Sequence, residues 1–272
     1  MLGAIIGDIV GSRFEFNNHR SKNFDLFTRE SFVTDDTIMS LAIGKAIIET
    51  EKMCISKNND YYALLEKNTI KYMQKIGRKY PDCGYGGRFF SWMFSEHPKP
   101  YNSFGNGAAM RVSAVSYITK DEEDLKSLSR TVTAVTHNHP EGIKGAEAIA
   151  LAIFLANNHH SKESIRKRIV KDYYPLDFTM DSIRSTYQFN ETSQDTVPQA
   201  LQAFFESTSF EDAIRTAISV GGDSDTLAAI TGSIAEAYYR IPPSIKNKAI
   251  RYLDNDLKAL YDEWVEFLLN YG

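Results

Sequence analysis

The amino-acid sequence predicts an all-α fold. Three observations carry this. Apolar residues recur at helical spacing through most of the 272-residue chain. Capping residues or an early proline stand at the start of many of these runs. Strand-like segments are sparse, and the best of them, 111–118, suits a buried helix equally well.

The elements follow in order. A tight glycine-bearing helix opens the chain before Arg13. The run 38–53 follows a Thr/Asp cap, and 61–76 repeats its periodicity. Acidic residues open 121–135, where the positive end of a helix favours them. Pro140 stands just inside the start of a helix over 140–157, a position where proline costs no hydrogen bond. The stretch 161–171 is amphipathic. Pro198 is expected to open a helix over 198–205, and 210–219, 226–239 and 244–269 complete the set. The stretch 172–194 is the least regular and reads as a surface excursion. Between Arg13 and Ser31, Asn, Arg, Lys and Ser predominate, which reads as a mobile surface loop. No long linker, low-complexity run or fixed-period repeat divides the chain, so a single domain over 1–272 is expected.

Composition narrows the function classes. Hydrophobic residues make up 43% and charged residues 24%, enough for a sizeable core. The formal net charge of −4 supplies no global basic field, which argues against nucleic acid as a general partner. The run Arg166-Lys167-Arg168 reads as a solvated helix face. Only Cys54 and Cys83 are present, so neither a disulfide framework nor a thiolate zinc site is expected, and a reducing compartment fits. The apolar N-terminal run is broken by Asp8 and lacks the pattern of a signal peptide. No segment has the length of a transmembrane helix, so a cytoplasmic protein without a membrane partner is expected.

Chemistry concentrates in polar turns. Thr34-Asp35-Asp36-Thr37 and Gly221-Gly222-Asp223-Ser224-Asp225-Thr226 each lead directly into an apolar helical run. Thr and Asp are ordinary N-caps, and capping is one reading of either element alone. If the two helices lie side by side, four carboxylates and two threonine hydroxyls converge. Such a cluster repels itself unless cations lie within it, and hard oxygen donors suit Mg²⁺, Mn²⁺ or Ca²⁺. A two-metal site is the reading that uses both elements. Glycines cluster at Gly84-Tyr85-Gly86-Gly87 and at Gly105-Asn106-Gly107, followed by Met110-Arg111. These loops are tight turns or phosphate cradles, and neither follows a strand as a Walker or dinucleotide motif would. His137, just before the Pro140 helix, is placed for a cap or for an anion contact.

These residues, in this order and across nearly the whole chain, resemble the ADP-ribosylglycohydrolase family. The resemblance rests on Gly7-Asp8-Ile9-Val10-Gly11 leading to Glu15, on both acidic elements, on both glycine loops and on Thr136-His137. It implies an all-α orthogonal bundle and a pair of divalent cations, Mg²⁺ or Mn²⁺. Thr34, Asp35, Asp36, Asp223, Asp225 and Thr226 match the family's metal-ligand positions. The resemblance further implies that Gly105, Asn106, Gly107 and His137 hold the diphosphate and neighbouring ribose of ADP-ribose. Gly86 and Gly87 would line the distal ribose, with Met110, Arg111, Gly222 and Ser224 also at the substrate. An aromatic between Tyr101 and Phe104 is the candidate for stacking adenine.

Glu15, Asp36 and Asp82 are the implied proton-transfer carboxylates, with Glu15 expected on a lid that covers the metals. Cleavage at the ribose anomeric carbon passes through an oxocarbenium-like state, for which positioned metals and a carboxylate are suited. The implied partner is an ADP-ribosylated protein, with arginine and serine both open as acceptors. A modified nucleic acid end or a small ADP-ribose derivative also stays open. A dinuclear phosphoesterase acting on nucleotides and a non-catalytic ADP-ribose-binding or structural relative are the alternatives.

Overall fold

In α1 (Leu2–Gly11) all ten residues are buried, as a helix apolar on every side requires. Its glycines recur every fourth residue and face α12 (Ser224–Tyr239). A Cβ on Gly3 would lie 2.1 Å from the carbonyl oxygen of Gly232, and one on Gly7 2.0 Å from that of Ala228. At Gly11 the hypothetical Cβ would lie 2.5 Å from the Cα of Asp225. Backbone therefore packs on backbone, and no larger residue fits along this seam. The computed structural model describes residues 1–54 and 56–271.

The remaining helices surround this pair. α2 (Asp35–Glu51) is buried along most of its length and packs on α3 (Asn59–Gly77), which Asn58 caps by accepting from the Tyr61 N–H at 3.0 Å. α4 (Gly87–Phe94) and α5 (Gly107–Arg111) are short. Asp121 caps α6 (Glu122–Ala134), accepting from the Glu123 and Asp124 amides at 3.0 and 2.9 Å. α7 (Pro140–Asn157) carries proline in its first turn, and α8 (Lys162–Asp172) and α9 (Met180–Ile183) follow. α10 (Ser193–Glu206) and α11 (Phe210–Ile218) pack on α12. α13 (Pro243–Ala249) and α14 (Asn255–Asn270) close the chain. One apolar cluster runs from Met1 to Trp264.

Among the described residues there is no β-strand, only an isolated bridge between Gly105 and Thr192. The strand candidate at 111–118 is the end of α5 followed by a 3₁₀ turn, Val112–Tyr117. Pro198 lies inside α10, which begins at Ser193. A proline there removes one i−4 bond, and the helix continues through it. The long C-terminal helix is interrupted by a 3₁₀ turn at Ile250–Tyr252. Asp254 then starts α14, accepting from the Leu257 N–H at 2.8 Å and from the Tyr80 hydroxyl. α2 and α12 do not pack along each other; both lie against α1 and meet only sparsely. No helix among the described residues is long and apolar enough to cross a membrane.

The seam yields a test. Gly7→Ala should destabilise the protein by at least about 3 kcal/mol, the upper range of overpacking, or prevent folding. Gly86→Ala should cost far less, at most about 1 kcal/mol for the poorer N-cap, because a Cβ there meets nothing within 4 Å. Urea unfolding of both variants against the parent decides; an unaltered Gly7→Ala midpoint refutes the packing account.

Candidate metal centre and active site

Three helix ends meet at the site. The end of α1 continues through a 3₁₀ turn, Ser12–Phe14, and delivers Glu15 with helical backbone angles. Glu15 thus belongs to the α1 extension and forms a wall of the cavity; the irregular loop begins after it. That loop is tethered rather than free. The Arg20 guanidinium donates to the Val220 carbonyl at 2.8 Å and to that of Tyr187 at 2.6 Å. Arg215 reaches the Phe24 carbonyl at 2.6 Å, and Asn18 accepts from the Gly222 N–H at 2.7 Å. These bonds hold the segment expected as a lid in the conformation described.

Asp8 of α1 is fully buried and organises the start of α2. It accepts from the Thr34 hydroxyl at 2.7 Å and from the backbone amides of Thr34 and Thr37, each at 3.1 Å. Thr34 is the N-cap of α2, accepting weakly from the Asp36 N–H at 3.4 Å. Asp35 donates its own N–H to the Cys83 carbonyl at 2.8 Å, which ties α2 to the glycine loop. Gly84 has φ of +91° there, a left-handed angle suited to glycine.

The second acidic element enters α12 through Gly221 and Gly222, both left-handed at φ +72° and +77°. Asp223 stands at the N-cap position with no capping bond from its side chain. Instead it accepts from the Asn106 side-chain amide at 2.6 Å. Thr226 donates to Asp36 Oδ2 at 3.1 Å and so joins the two elements. Oxygens of Glu15, Asp223 and Asp225 lie within 4.8 Å of one another.

The carboxylates divide into two kinds. Asp8 has donors on both oxygens. Asp36 Oδ1 and Asp225 Oδ1 are buried without any partner. No lysine, arginine or histidine forms an ion pair with Glu15, Asp35, Asp36, Asp223 or Asp225 among the described residues. Burial, and then mutual repulsion, raises their proton affinities. Asp223 moves to about 6 and Glu15 to about 8, while Asp35, Asp36 and Asp225 rise well above the ordinary carboxylate range. Capping leaves these unsatisfied oxygens unexplained. An all-oxygen, electrically uncompensated donor set fits hard divalent cations.

A cavity of about 250 Å³ extends from this cluster. Asp35, Asp36, Asp223, Asp225, Thr226 and Glu15 line it. Gly105, Asn106, Gly107, Met110, Arg111 and His137 line it as well, as do Gly86 and Gly87, and the Asn106 amide on Asp223 joins the glycine loop directly to the acidic cluster. Arg111 is 1% exposed, and burial lowers its pKa to about 10. His137 is buried, and burial together with the Arg111 charge pushes its pKa well down, so the ring is neutral. Tyr101 also lines the cavity, whereas Phe104 stands outside the lining, its ring 5.4 Å from that of His139.

Four sequence-derived candidates lie off the cavity lining. Thr34 is covered by Asp8. Gly222 serves the turn, and Ser224 is fully buried, donating to the Gly222 carbonyl at 3.2 Å. Asp82 is exposed on the outer side of the glycine loop. Sequence reasoning gave Asp8 no role, although it lies in a quoted motif, and gave none to Glu191. Glu191 lines the cavity and its carbonyl accepts from the Asn106 N–H at 2.7 Å. No local signal marks Glu191, which comes from the least regular stretch.

Comparison with known proteins agrees with this geometry. The ADP-ribosylglycohydrolase family model matches residues 1–269. The chain is 25% identical to ADP-ribosylhydrolase ARH3 of Xenopus tropicalis over 93% of this chain and 91% of that one. It is 24% identical to the ADP-ribosyl-[dinitrogen reductase] glycohydrolase of Rhodospirillum rubrum, over 88% and 84% respectively. ADP-ribosylarginine hydrolase Tri1 of Pseudomonas putida (strain GB-1) is 25% identical, covering 89% of this chain and 70% of that one. A solved structure, an ADP-ribosylglycohydrolase-related protein complex, shares the fold with a TM-score of 0.67 at 22% identity, covering 99% of this chain and 94% of that one. By sequence, helical architecture and the ordered motifs that build its cavity, the chain belongs to the ADP-ribosylglycohydrolase family.

Proposed function

We propose that the chain is an ADP-ribosyl hydrolase that releases ADP-ribose from a modified acceptor, with Mg²⁺ or Mn²⁺ at the acidic cluster. The observation that carries this is the lining of one cavity. It combines the unsatisfied carboxylate oxygens of Asp36 and Asp225 with the cation Arg111, which has no ion pair among the described residues, and the neutral His137. ADP-ribose carries groups to match both: neutral ribose hydroxyls and a dianionic diphosphate.

Each residue has a part in that reading. Asp35, Asp36, Asp223, Asp225 and Thr226 hold the cations, and Thr34 supports them from beneath through Asp8. When bound, the cations orient the ribose hydroxyls and acidify water. Gly86 and Gly87 leave room beside the distal ribose, since a Cβ on either meets no protein atom within 4 Å. The Gly105–Gly107 backbone, Arg111 and His137 take the diphosphate. Glu15 exchanges the proton: water adds to the anomeric carbon, the bond to the acceptor breaks, and the acceptor leaves with a hydrogen. Asp82, exposed and off the lining, has no direct part. The relatives' names include an arginine-linked and a dinitrogen reductase-linked hydrolase. The acceptor proposed is accordingly an ADP-ribosylated protein side chain, with small ADP-ribose derivatives as the simplest surrogates.

A panel of ADP-ribosylated peptides, assayed with and without chelator, tests the activity. Intact ADP-ribose should be the product; release of phosphate instead would indicate a phosphoesterase. Asp225→Ala should lower turnover by more than about 100-fold with the fold retained, as loss of a metal-site residue does. Glu15→Gln should lower it about 100-fold or more while ADP-ribose still binds. Near-normal turnover in Glu15→Gln removes that residue from proton transfer.

The electrostatics give a second, activity-free test. Carboxylates with raised folded-state pKa values hold protons that the unfolded chain has released. Without metal, they stabilise the fold below the unfolded values near 4 and lose that contribution as pH rises through about 6 for Asp223 and about 8 for Glu15. The lowered pKa values of His137 and His19 act in the opposite sense, but only up to about 6.5, where the unfolded imidazole stops binding protons. Lys162, whose pKa burial lowers to about 8, also acts in the opposite sense, but mainly above that pH. Between about pH 6.5 and 8 the melting temperature in chelator should therefore fall. The increment on adding Mg²⁺ or Mn²⁺ should be larger at pH 9 than at pH 6. Equal increments at both pH values would remove the cluster as the metal site.

A further inference from the structure

Beside the Gly105–Gly107 loop the cavity is backed by a buried chain of three side chains. Arg111 Nη2 donates to Thr136 Oγ1 at 2.7 Å, and Thr136 Oγ1 lies 2.7 Å from His137 Nδ1. All three are nearly inaccessible, at 1%, 0% and 4% exposure. A guanidinium has only donors, so the threonine oxygen accepts from it. The hydroxyl's single hydrogen is then free for the one remaining close partner, Nδ1, which must accept. In the alternative arrangement Nδ1–H and Arg111 would both donate to the oxygen, leaving the buried hydroxyl hydrogen without an acceptor among the described residues and setting Nδ1–H 3.5 Å from Arg111 Nη2 itself. Donor would face donor.

The consequence appears at the other ring nitrogen. With Nδ1 accepting, the neutral imidazole carries its hydrogen on Nε2. Nε2 has no hydrogen-bond partner among the described residues. It faces the glycine loop: a Cβ on Gly107 would lie 3.4 Å from it and one on Gly105 3.5 Å. Glycine at both positions keeps this nitrogen uncovered.

We infer that Thr136 is a positioning residue that, braced by Arg111, locks His137 as a permanent Nε2–H donor toward an anionic oxygen in the cavity. His137 needs no proton from solvent to donate, and it never presents a lone pair to the ligand. The Thr136 side chain performs this task apart from its backbone, whose carbonyl accepts from the Tyr101 and Ser103 amides, each at 3.4 Å. Removing the hydroxyl therefore spares the backbone brace. The diphosphate as the anion rests on the function proposed above; the tautomer does not.

The test is nitrogen-detected NMR on the ¹⁵N-histidine protein without ligand, with the His137 signals assigned by their loss in His137→Gln. The parent and Thr136→Ser should show a single Nε2–H tautomer. Thr136→Val, which keeps shape without the hydroxyl, should show a mixture or the Nδ1–H form. Calorimetry should find ADP-ribose bound about 10-fold or more weakly by Thr136→Val, the scale of one hydrogen bond to a charged group, and rescued by Thr136→Ser. An Nδ1–H tautomer in the parent, or an unchanged tautomer in Thr136→Val, overturns the relay even if that valine variant binds poorly. If Thr136→Val fails to fold, the tautomer of the parent and of Thr136→Ser decides alone. If the parent shows the Nε2–H form yet does not bind ADP-ribose, the relay stands and the ligand assignment fails.

Discussion

The backbone contact between α1 and α12 is the constraint on which the site depends. Gly3, Gly7 and Gly11 let two helices approach until carbonyl oxygens of one occupy the space where Cβ atoms of the other would stand. The gain is precision. With no side chains between them, the helices cannot slide or tilt by a rotamer change, so the end of α1 has a fixed place relative to the start of α12. Glu15 therefore meets Asp223 and Asp225. The same helix uses Asp8 to set the first turn of α2. One buried helix thus registers both acidic elements, whose helices pack little on each other beyond the meeting of Thr226 with Asp36.

That registration works against electrostatic repulsion. The apolar packing around α1, α2 and α12 holds carboxylates together where burial and like charge disfavour ionisation. The structure limits the cost by satisfying one oxygen of Asp36 and one of Asp223. Thr226 covers one oxygen of Asp36, and Asn106 covers one of Asp223, while the partnerless oxygens of Asp36 and Asp225 are the ones left for a ligand. Asp8, fully hydrogen-bonded, shows what a purely structural carboxylate looks like in the same surroundings. The contrast separates positioning from ligation more sharply than sequence spacing does.

Much of this was legible in the sequence, and the rest failed for identifiable reasons. The helical class, most helix positions and the paired acidic elements follow from local periodicity and capping, which are short-range. The cavity brings together fourteen of the residues singled out from sequence and the family resemblance. What the sequence concealed is long-range. Glu191 reaches the cavity only because its carbonyl bonds Asn106, 85 positions away, and nothing near Glu191 records that. Asp8 looks like a break in an apolar run until Thr34 and Thr37 are seen to bond it. Gly86 and Gly87 read as loop, yet they start α4, because open space around them lets a glycine pair serve as N-cap and first helical residue. Pro198 and the 244–269 run misled because tertiary bonds, such as that of Tyr80 to Asp254, decide where a helix begins.

Asn106 connects the glycine loop to the acidic cluster. Its side-chain amide donates to Asp223 at 2.6 Å and to Thr196 at 3.2 Å, while its backbone N–H is held by Glu191. The flanking glycines open the backbone beside His137. The anion-facing loop is thereby fastened directly to a carboxylate of the acidic cluster. For the reaction proposed, this fixes the distance between the group that binds the diphosphate and the group that acts at the anomeric carbon. A ligand held firmly at one end is then already aligned at the other, which lowers the entropic cost of reaching the reactive geometry.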